Sequence, residues 1–271
     1  MISQERNGRS DISKLPIECI EHIMSFTSPG DVCSLSMVCR AIRDVAESNA
    51  LWDRFMPSEG SEIISLSIAF KPLIFESAKQ KYFYLCHKAV FLDDGFMCFT
   101  LDKQTGKRCF MIAPTVWSIL GDGWEWNFVQ GARFSLVPEL KYGPALGFVG
   151  RMECKLLSPQ TTYAAYLVFK LADCSYGFEA IPVELSIYFD DRELDGVKRR
   201  RVLLDPPEDM LMGPQERPDG WKEISMGQFF IGHQYNGAIH CCLKKAKSIY
   251  ETRFCGIIIN GIEIRPSRGL R

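Results

Sequence analysis

The sequence predicts an α+β chain of more than one domain: a small N-terminal group of three helices, then an antiparallel, jelly-roll-like β-sandwich. Three observations lead there. Between Leu15 and Pro57 the apolar residues recur at three- and four-residue spacing, the signature of amphipathic helices. From Val90 onward the period changes to two, as in strands with one wet face. The strand-like runs follow each other at modest spacing with no helical crossovers between them, which favours antiparallel pairing. The expected boundaries are a disordered polar leader at 1–13, the helical domain at 14–58, a helical connector at 59–89 and the sandwich at 90–267.

The helical segment is the part with an evident task. Leu15-Pro16 opens the first helix, where proline's missing N–H costs nothing. Ile17, Ile20, Ile23 and Met24 make its stripe. Ser28-Pro29-Gly30-Asp31 is a capping-box start for the second helix. Val32, Leu35, Val38 and Cys39 form the next stripe, then Ile42, Val45 and Ala46, and the segment closes on Leu51-Trp52. A domain of roughly forty residues cannot bury all of these internally. The surplus apolar face is expected to dock on another protein's helices, through Leu15, Pro16, Ile20, Ile23, Leu35, Val38, Cys39, Leu51 and Trp52.

Past the joint at Pro57–Ser61, Ser77–His87 reads as a helix with Ala78, Tyr82 and Leu85 on one side; Pro72 keeps open the alternative of a loose linker. Phe96–Leu101 and Arg108–Ala113 read as strands joined by a turn at Asp102–Lys107. Phe148–Leu156, Val183–Phe189 and Ile239–Lys244 alternate apolar and polar residues, while Tyr163–Leu171 is apolar on both faces and should be central. Cys255–Arg265 is the last strand, with a bulge expected at Asn260-Gly261. Gly227–Phe230 reads as the start of a short helix or a turn. Arg192–Asp209, which carries Lys198–Arg201, reads as an exposed loop or hairpin.

Bulk properties exclude several function classes. A chain of 271 residues with net charge -1 and a pI near 6.4 has no global attraction for nucleic acid or an anionic membrane. Eleven scattered cysteines, with no C-x-x-C pair, point to free thiols in a reducing compartment, cytoplasmic or nuclear. The polar N-terminus lacks an apolar secretory core, and no apolar run approaches the ~20 residues a spanning helix needs. His240-Cys241-Cys242 and Cys86-His87 resemble metal ligands, but adjacent strand residues point to opposite faces, so no metal site is expected. Cys19 and His22 share a helix face, where a buried thiol is the default. Ser158 has no nucleophile elbow, and there is no Walker loop or dinucleotide fingerprint. No cofactor and no catalysis are therefore expected. Lys198–Arg201 leaves an import signal, a polyanion contact and a solvated loop all open.

Two resemblances sharpen this reading. The Leu-Pro start, the Ser-x-x-Asp helix start, Cys39-Arg40 and Leu51-Trp52 resemble an F-box. That resemblance implies docking on the Skp-type adaptor of a cullin-based ubiquitin ligase, with the rest of the chain choosing the client. Asp102-Lys103-x-x-Gly106-Lys107-x-Cys109, Gly121-Asp122-x-Trp124-x-Trp126, Arg133-Phe134, Ser158-x-x-Thr161-x-Tyr163, Tyr176-Gly177-Phe178, Asp219-Gly220-Trp221 and Gly256-Ile257-Ile258-x-x-Gly261-Ile262-Glu263-x-Arg265-Pro266 are similar to a phloem-protein-2-like domain, the domain type of the tobacco leaf lectin. This implies a β-sandwich whose lectin members bind N-acetylglucosamine oligomers or related glycans.

A sugar site stacks pyranose faces on aromatic rings and fixes hydroxyls with polar groups. Trp117, Asp122, Trp124 and Trp126 are the candidates, with Glu125 as a further acceptor. The chain departs from the lectin pattern at Leu120, at the displaced Trp117, and at Lys244, Lys245 and Lys247, which stand where acidic side chains are usual. Packing of the sandwich edge is the competing role for these tryptophans. The leading functional reading is a substrate receptor for a protein or glycoprotein client. A stand-alone lectin and a plain scaffold are the alternatives.

Overall fold

The computed structural model describes residues 12–57, 74–92, 95–190, 199–207, 213–233, 236–246 and 253–267. The predicted leader up to residue 11, the connector between 58 and 73, and the polar stretch 191–198 with Lys198 lie outside them. The chain forms two compact units. One holds the described residues up to Lys88 together with Leu101–Gly106; the other holds the described residues of Ala89–Thr100 and those from Lys107 on.

The first unit is helical. A short turn at Ile12–Lys14 leads into α1 (Ile17–Met24), α2 (Pro29–Leu35), α3 (Arg40–Val45), α4 (Asn49–Phe55) and α5 (Ala78–His87). Four helices therefore occupy the segment where three were expected. The break falls at Cys39, which is fully extended (φ -155, ψ 167) and caps α3. Serine chemistry explains why α2 stops early. Ser34 and Ser36 donate their hydroxyls to the carbonyls of Gly30 and Cys33 at 3.0 and 2.7 Å, competing with the helix ladder. The capping box forms as read: Asp31 N–H donates to Ser28 Oγ at 3.1 Å, and Ser28 N–H donates to the Asp31 carboxylate at 3.2 Å. Ser77 caps α5 by accepting from Gln80 N–H, and Tyr82 and Leu85 turn inward.

Inside this unit Ile20, Met24, Val32, Ile42, Val45, Leu51 and Trp52 are buried. The Trp52 ring meets Phe55, Tyr82 and Phe83. Residues 101–106 complete the unit: Gly30 N–H donates to Gln104 O at 3.0 Å, and the Tyr82 hydroxyl donates to Asp102 O at 3.1 Å.

The second unit is two antiparallel sheets. Its strands are β1 (Val90–Leu92), β2 (Met97–Leu101), β3 (Arg108–Ile112), β4 (Ser118–Leu120), β5 (Trp124–Asn127), β6 (Val137–Leu140), β7 (Gly147–Glu153), β8 (Thr161–Tyr176), β9 (Val183–Phe189), β10 (Arg199–Val202), β11 (Gln215–Glu216), β12 (Lys222–Ile231), β13 (Ala238–Lys245) and β14 (Cys255–Pro266). The larger sheet runs β1-β2-β3-β14-β8-β12-β11, with β6 paired to β14 and β5 to β6; the smaller runs β10-β9-β13-β7-β4. Their inner faces meet where Phe189 of β9 packs edge-on against Phe229 of β12, and where Ile262 of β14 reaches Gly150 of β7. Tyr163, Ala164, Ala165, Leu167, Val168 and Phe169 are fully enclosed, as their two-sided apolar run in β8 required.

Four local features bear on the sequence expectation. Gly227–Phe230 belongs to strand β12 rather than to a helix or turn. The strand passes a register shift between Ser225 and Gly227, which glycine absorbs at φ +147. Cys154–Leu156 leaves β7 as a 3-10 turn, so that strand ends at Glu153. At Asn260-Gly261 the register shift between Ile259 and Gly261 is present as read. Arg199–Val202 pairs with β9 as the hairpin alternative required.

Candidate functional site

Two surfaces, one in each unit, carry the residues singled out by the sequence. In the helical unit Leu15, Pro16, Ile17, Ile23, Phe26, Met37 and Val38 face solvent, Phe26 and Val38 at 77% and 67% exposure. Helix geometry explains the division along α1. At 3.6 residues per turn, Ile17 and Ile23 fall about 60° to either side of Ile20. The centre of the apolar arc, Ile20 and Met24, fills the unit's core, and its two flanks remain outside. Cys19, expected as a buried thiol, is exposed for the same reason.

The candidate docking residues thus separate. Leu15, Pro16, Ile23 and Val38 are exposed, and Leu35 and Cys39 are half-buried. Ile20, Leu51 and Trp52 are completely enclosed and present no surface to a partner in this conformation. Their burial is a correction to the expected contact set, and its cause is the need of a small unit for an interior. Phe26 and Met37 were missed because they sit in turns, outside any helical periodicity.

The second surface is the edge formed by β4, β5 and the loop after β6. Gly121 and Gly123 adopt φ +91 and +88, which only glycine takes without strain. A side-chain carbon at Gly123 would stand 2.1 Å from the Tyr142 carbonyl oxygen, so the two loops touch through backbone. Asp122, between them, is exposed. In β5, Trp124 and Trp126 share a face; Trp124 is half-buried, while Trp126 is 43% exposed and pairs opposite Pro138. Phe128 and Tyr142 are exposed large aromatics of the same loops, and Arg253 stacks its guanidinium 4.9 Å from the Tyr142 ring centre. Sequence reasoning missed Tyr142 and Arg253, because only strand pairing relates residues so far apart in the chain, and it passed over Phe128, which lies just past the end of β5 two residues from Trp126.

Trp117 does not join this edge. It is 8% exposed and stacks on Phe148 at 4.7 Å inside the sheet layer, its indole N–H without a hydrogen-bond partner. Of the four candidate sugar contacts, Asp122, Trp124 and Trp126 remain at the surface, and Trp117 is core. Lys245 directs its ammonium to the Pro144 carbonyl at 3.4 Å, and Lys244 lies 3.7 Å from the Glu184 carboxylate; Lys247 is outside the described residues.

The polar clusters have ordinary partners. His240 hydrogen-bonds Asp190 and stacks on Tyr188, whereas Cys241 on the opposite face is buried, with its thiol pushed up to about 12 by desolvation. Burial likewise raises the Cys86 thiol to about 11. Such thiols stay protonated and unreactive at neutral pH. Among the described residues no group of three His, Cys, Asp or Glu side chains is placed to hold a metal ion, and no helix is long and apolar enough to cross a membrane. A cavity of about 360 Å³ lies between Pro182, Arg201 and Pro206; Arg201 is committed to Glu184 at 3.0 Å.

Comparison with known proteins bears on both surfaces. The F-box-like family model matches residues 12–57, and the Phloem protein 2 model matches residues 107–266. F-box protein PP2-B10 of Arabidopsis thaliana is 34% identical, over 97% of this chain and 97% of its own length. F-box protein At2g02240 of the same plant is 32% identical over 96% and 82%, and F-box protein SKIP3 is 29% identical over 98% and 92%. With both models matched in order and relatives aligned almost end to end, the chain belongs to the plant F-box proteins that carry a phloem protein 2 domain.

Proposed function

We propose that the chain is a substrate-receptor subunit of a cullin-type ubiquitin ligase, its helical unit docking on a Skp-type adaptor and its β unit holding a client. The observation that carries the reading is the row of uncovered apolar side chains, Leu15, Ile17, Ile23, Phe26, Met37 and Val38, on a unit whose interior is already filled. Each such side chain gains about 1.5–3 kcal/mol when fully buried, so a partner's helices that cover several of them bind with useful affinity. Ubiquitin transfer belongs to other subunits; this chain contributes proximity, raising the concentration of client lysines near the conjugating enzyme. The reading places it in the cytoplasm or nucleus, where such ligases work.

Capture of a purified Skp-type adaptor by the full chain tests the assignment. The Leu15→Ala/Pro16→Ala variant should lose capture while keeping its unfolding midpoint, since both residues are exposed. Undiminished capture refutes the assigned surface.

A second reading concerns what the β unit holds. Exposed Trp126, Tyr142 and Asp122 suit the stacking and hydroxyl bonding that glycans require. A glycan array with N-acetylglucosamine oligomers and N-glycans separates the outcomes. Binding abolished by Trp126→Ala supports a glycoprotein client, or a lectin without a ligase role if adaptor capture is absent. A blank array with capture intact supports a protein-only client.

A further inference from the structure

Among the eleven cysteines, two stand together at the surface. Cys174 lies near the end of β8 and is exposed; Cys255 opens β14 and is half-buried. The strands pair antiparallel, but the ladder is irregular here. Cys255 faces Tyr176, and the next partners are Ile257 and Leu171, so β8 bulges between them. Burial first, and then the neighbouring Cys174 thiol, push the Cys255 thiol up, as expected of two sulfurs brought side by side across this irregular ladder. Backbone proximity supports this: a side-chain carbon at Gly256, itself at φ +84, would lie 2.9 Å from Ser175 Cα.

We infer that Cys174 and Cys255 form a peroxide-oxidisable dithiol that closes into a reversible cross-strand disulfide. Two thiols on backbones that approach this closely need mainly side-chain rotation to reach the ~2.05 Å S–S bond, whereas thiols on distant strands would need backbone movement. The strand bulge supplies local give that a regular ladder lacks. The steps balance. The accessible Cys174 sulfur, as thiolate, attacks one oxygen of hydrogen peroxide, the O–O bond breaks, and a sulfenic acid and hydroxide form. The Cys255 sulfur then attacks the sulfenic sulfur, the S–S bond forms, and the S–OH oxygen leaves as water. Overall two thiols and one peroxide give one disulfide and two waters. Glutathione or another thiol reductant reverses it.

The pair is placed to matter. The same β14 end pairs Ile257 with Leu140 of β6, and Phe254 bridges to Gly143 through reciprocal backbone hydrogen bonds of 2.9 and 3.0 Å. Lys141 and Glu139 lie close enough to act on the thiols electrostatically. Closing the disulfide therefore ties the start of β14, two residues past Arg253, to the end of β8. Cys98, Cys109, Cys154 and Cys241, by contrast, are enclosed.

The test treats the full reduced chain with hydrogen peroxide, blocks remaining thiols with an alkylating agent, and maps non-reduced peptides by mass spectrometry. A Cys174–Cys255 linked peptide should be the principal cross-link, should vanish on thiol reduction, and should be absent from Cys174→Ser and Cys255→Ser. Because the wild-type chain alone gives the linkage, a variant that folds poorly does not blur the result. Absence of that peptide, or cross-links spread evenly over other cysteines, or Cys174 advancing to sulfinic acid with Cys255 still alkylatable, overturns the proposal.

Discussion

The indole N–H of Trp52 donates a 2.7 Å hydrogen bond to the carbonyl oxygen of Ala46. Ala46 ends α3, where carbonyls lack partners within the helix, so the tryptophan of α4 satisfies a group that the fold would otherwise leave orphaned inside. The same ring fills the centre of the unit, fully buried against Tyr82 and Phe83. The conspicuous Leu-Trp of the sequence is therefore a keystone of the helical unit's interior.

Trp52→Ala should lower the stability of the helical unit by about 3–5 kcal/mol, the range for emptying a large aromatic site. Trp52→Phe keeps most of the volume but leaves the Ala46 carbonyl without its donor, at a cost of about 1–3 kcal/mol. Urea unfolding followed by helical circular dichroism should rank wild type above Phe above Ala. Equal midpoints for all three would show that the hydrogen bond and the packing are both dispensable.

Val38 offers the contrast. It is 67% exposed in the turn before α3. Val38→Asp should change stability by no more than about 0.5 kcal/mol, the usual scale for surface positions. It should nonetheless cut capture of a Skp-type adaptor, because an aspartate buried under a partner's apolar helix is desolvated without compensation. Val32→Asp, at a fully enclosed position of α2, should instead unfold the unit. If Val38→Asp captured the adaptor as wild type does, that turn would lie outside the contact.

A charged ladder crosses the larger sheet and gives a pH signature. Glu223 of β12 accepts from Arg265 Nη1 of β14 at 3.0 Å and from Arg217 at 2.7 Å, and Arg217 also donates to Glu263 at 2.6 Å. Burial opposes the charged form of Glu223, but the two guanidiniums outweigh it and hold its carboxyl below the usual carboxylate range. A depressed folded-state pKa adds stability above the unfolded value, about 4.3, and that stability disappears as pH falls through the folded value. Glu223→Gln should thus cost about 1.5–3 kcal/mol at neutral pH, as for hydrogen bonds to charged groups. The gap to wild type should narrow as pH drops below ~4.3. A gap constant from neutral to acid pH would contradict the ion-pair account.

The parts legible in the sequence are those written in local grammar. Ser28 and Asp31 announced the start of α2, the two-sided apolar run Tyr163–Leu171 announced a central strand, and Asn260-Gly261 announced a bulge. What escaped has a physical cause. Strands such as β4, β5 and β6 are three or four residues long, too short for a period to register. Cys39 breaks a stripe that looked continuous, because serine hydroxyls compete for carbonyls in the preceding turn. At the candidate edge, Trp124 and Trp126 were visible as neighbours in sequence, whereas Tyr142 and Arg253 come together only through the pairing of β6 with β14. Trp117 shows the converse: one residue type suits both a sugar platform and a core, and only burial distinguishes them.

That edge depends on a backbone contact that can be tested without any ligand. Gly123 and Gly131 both sit at positive φ, +88 and +78, so an alanine at either pays a similar conformational penalty of about 1 kcal/mol. Their surroundings differ completely. At Gly131 an added carbon meets nothing within 4 Å, whereas at Gly123 it would lie 2.1 Å from the Tyr142 carbonyl oxygen and 3.0 Å from its carbon. Backbone cannot rotate away as a side chain can, so Gly123→Ala must push the 141–143 loop outward, away from Asp122 and from Phe254, the partner of Gly143 in its bridge. Gly131→Ala should therefore cost only the strain, and Gly123→Ala should cost about 1–3 kcal/mol more, the scale of a forced overpacking. Thermal unfolding of the two variants side by side measures the difference. Equal losses would mean that the loops part freely and that the aromatic edge is not held in the arrangement described.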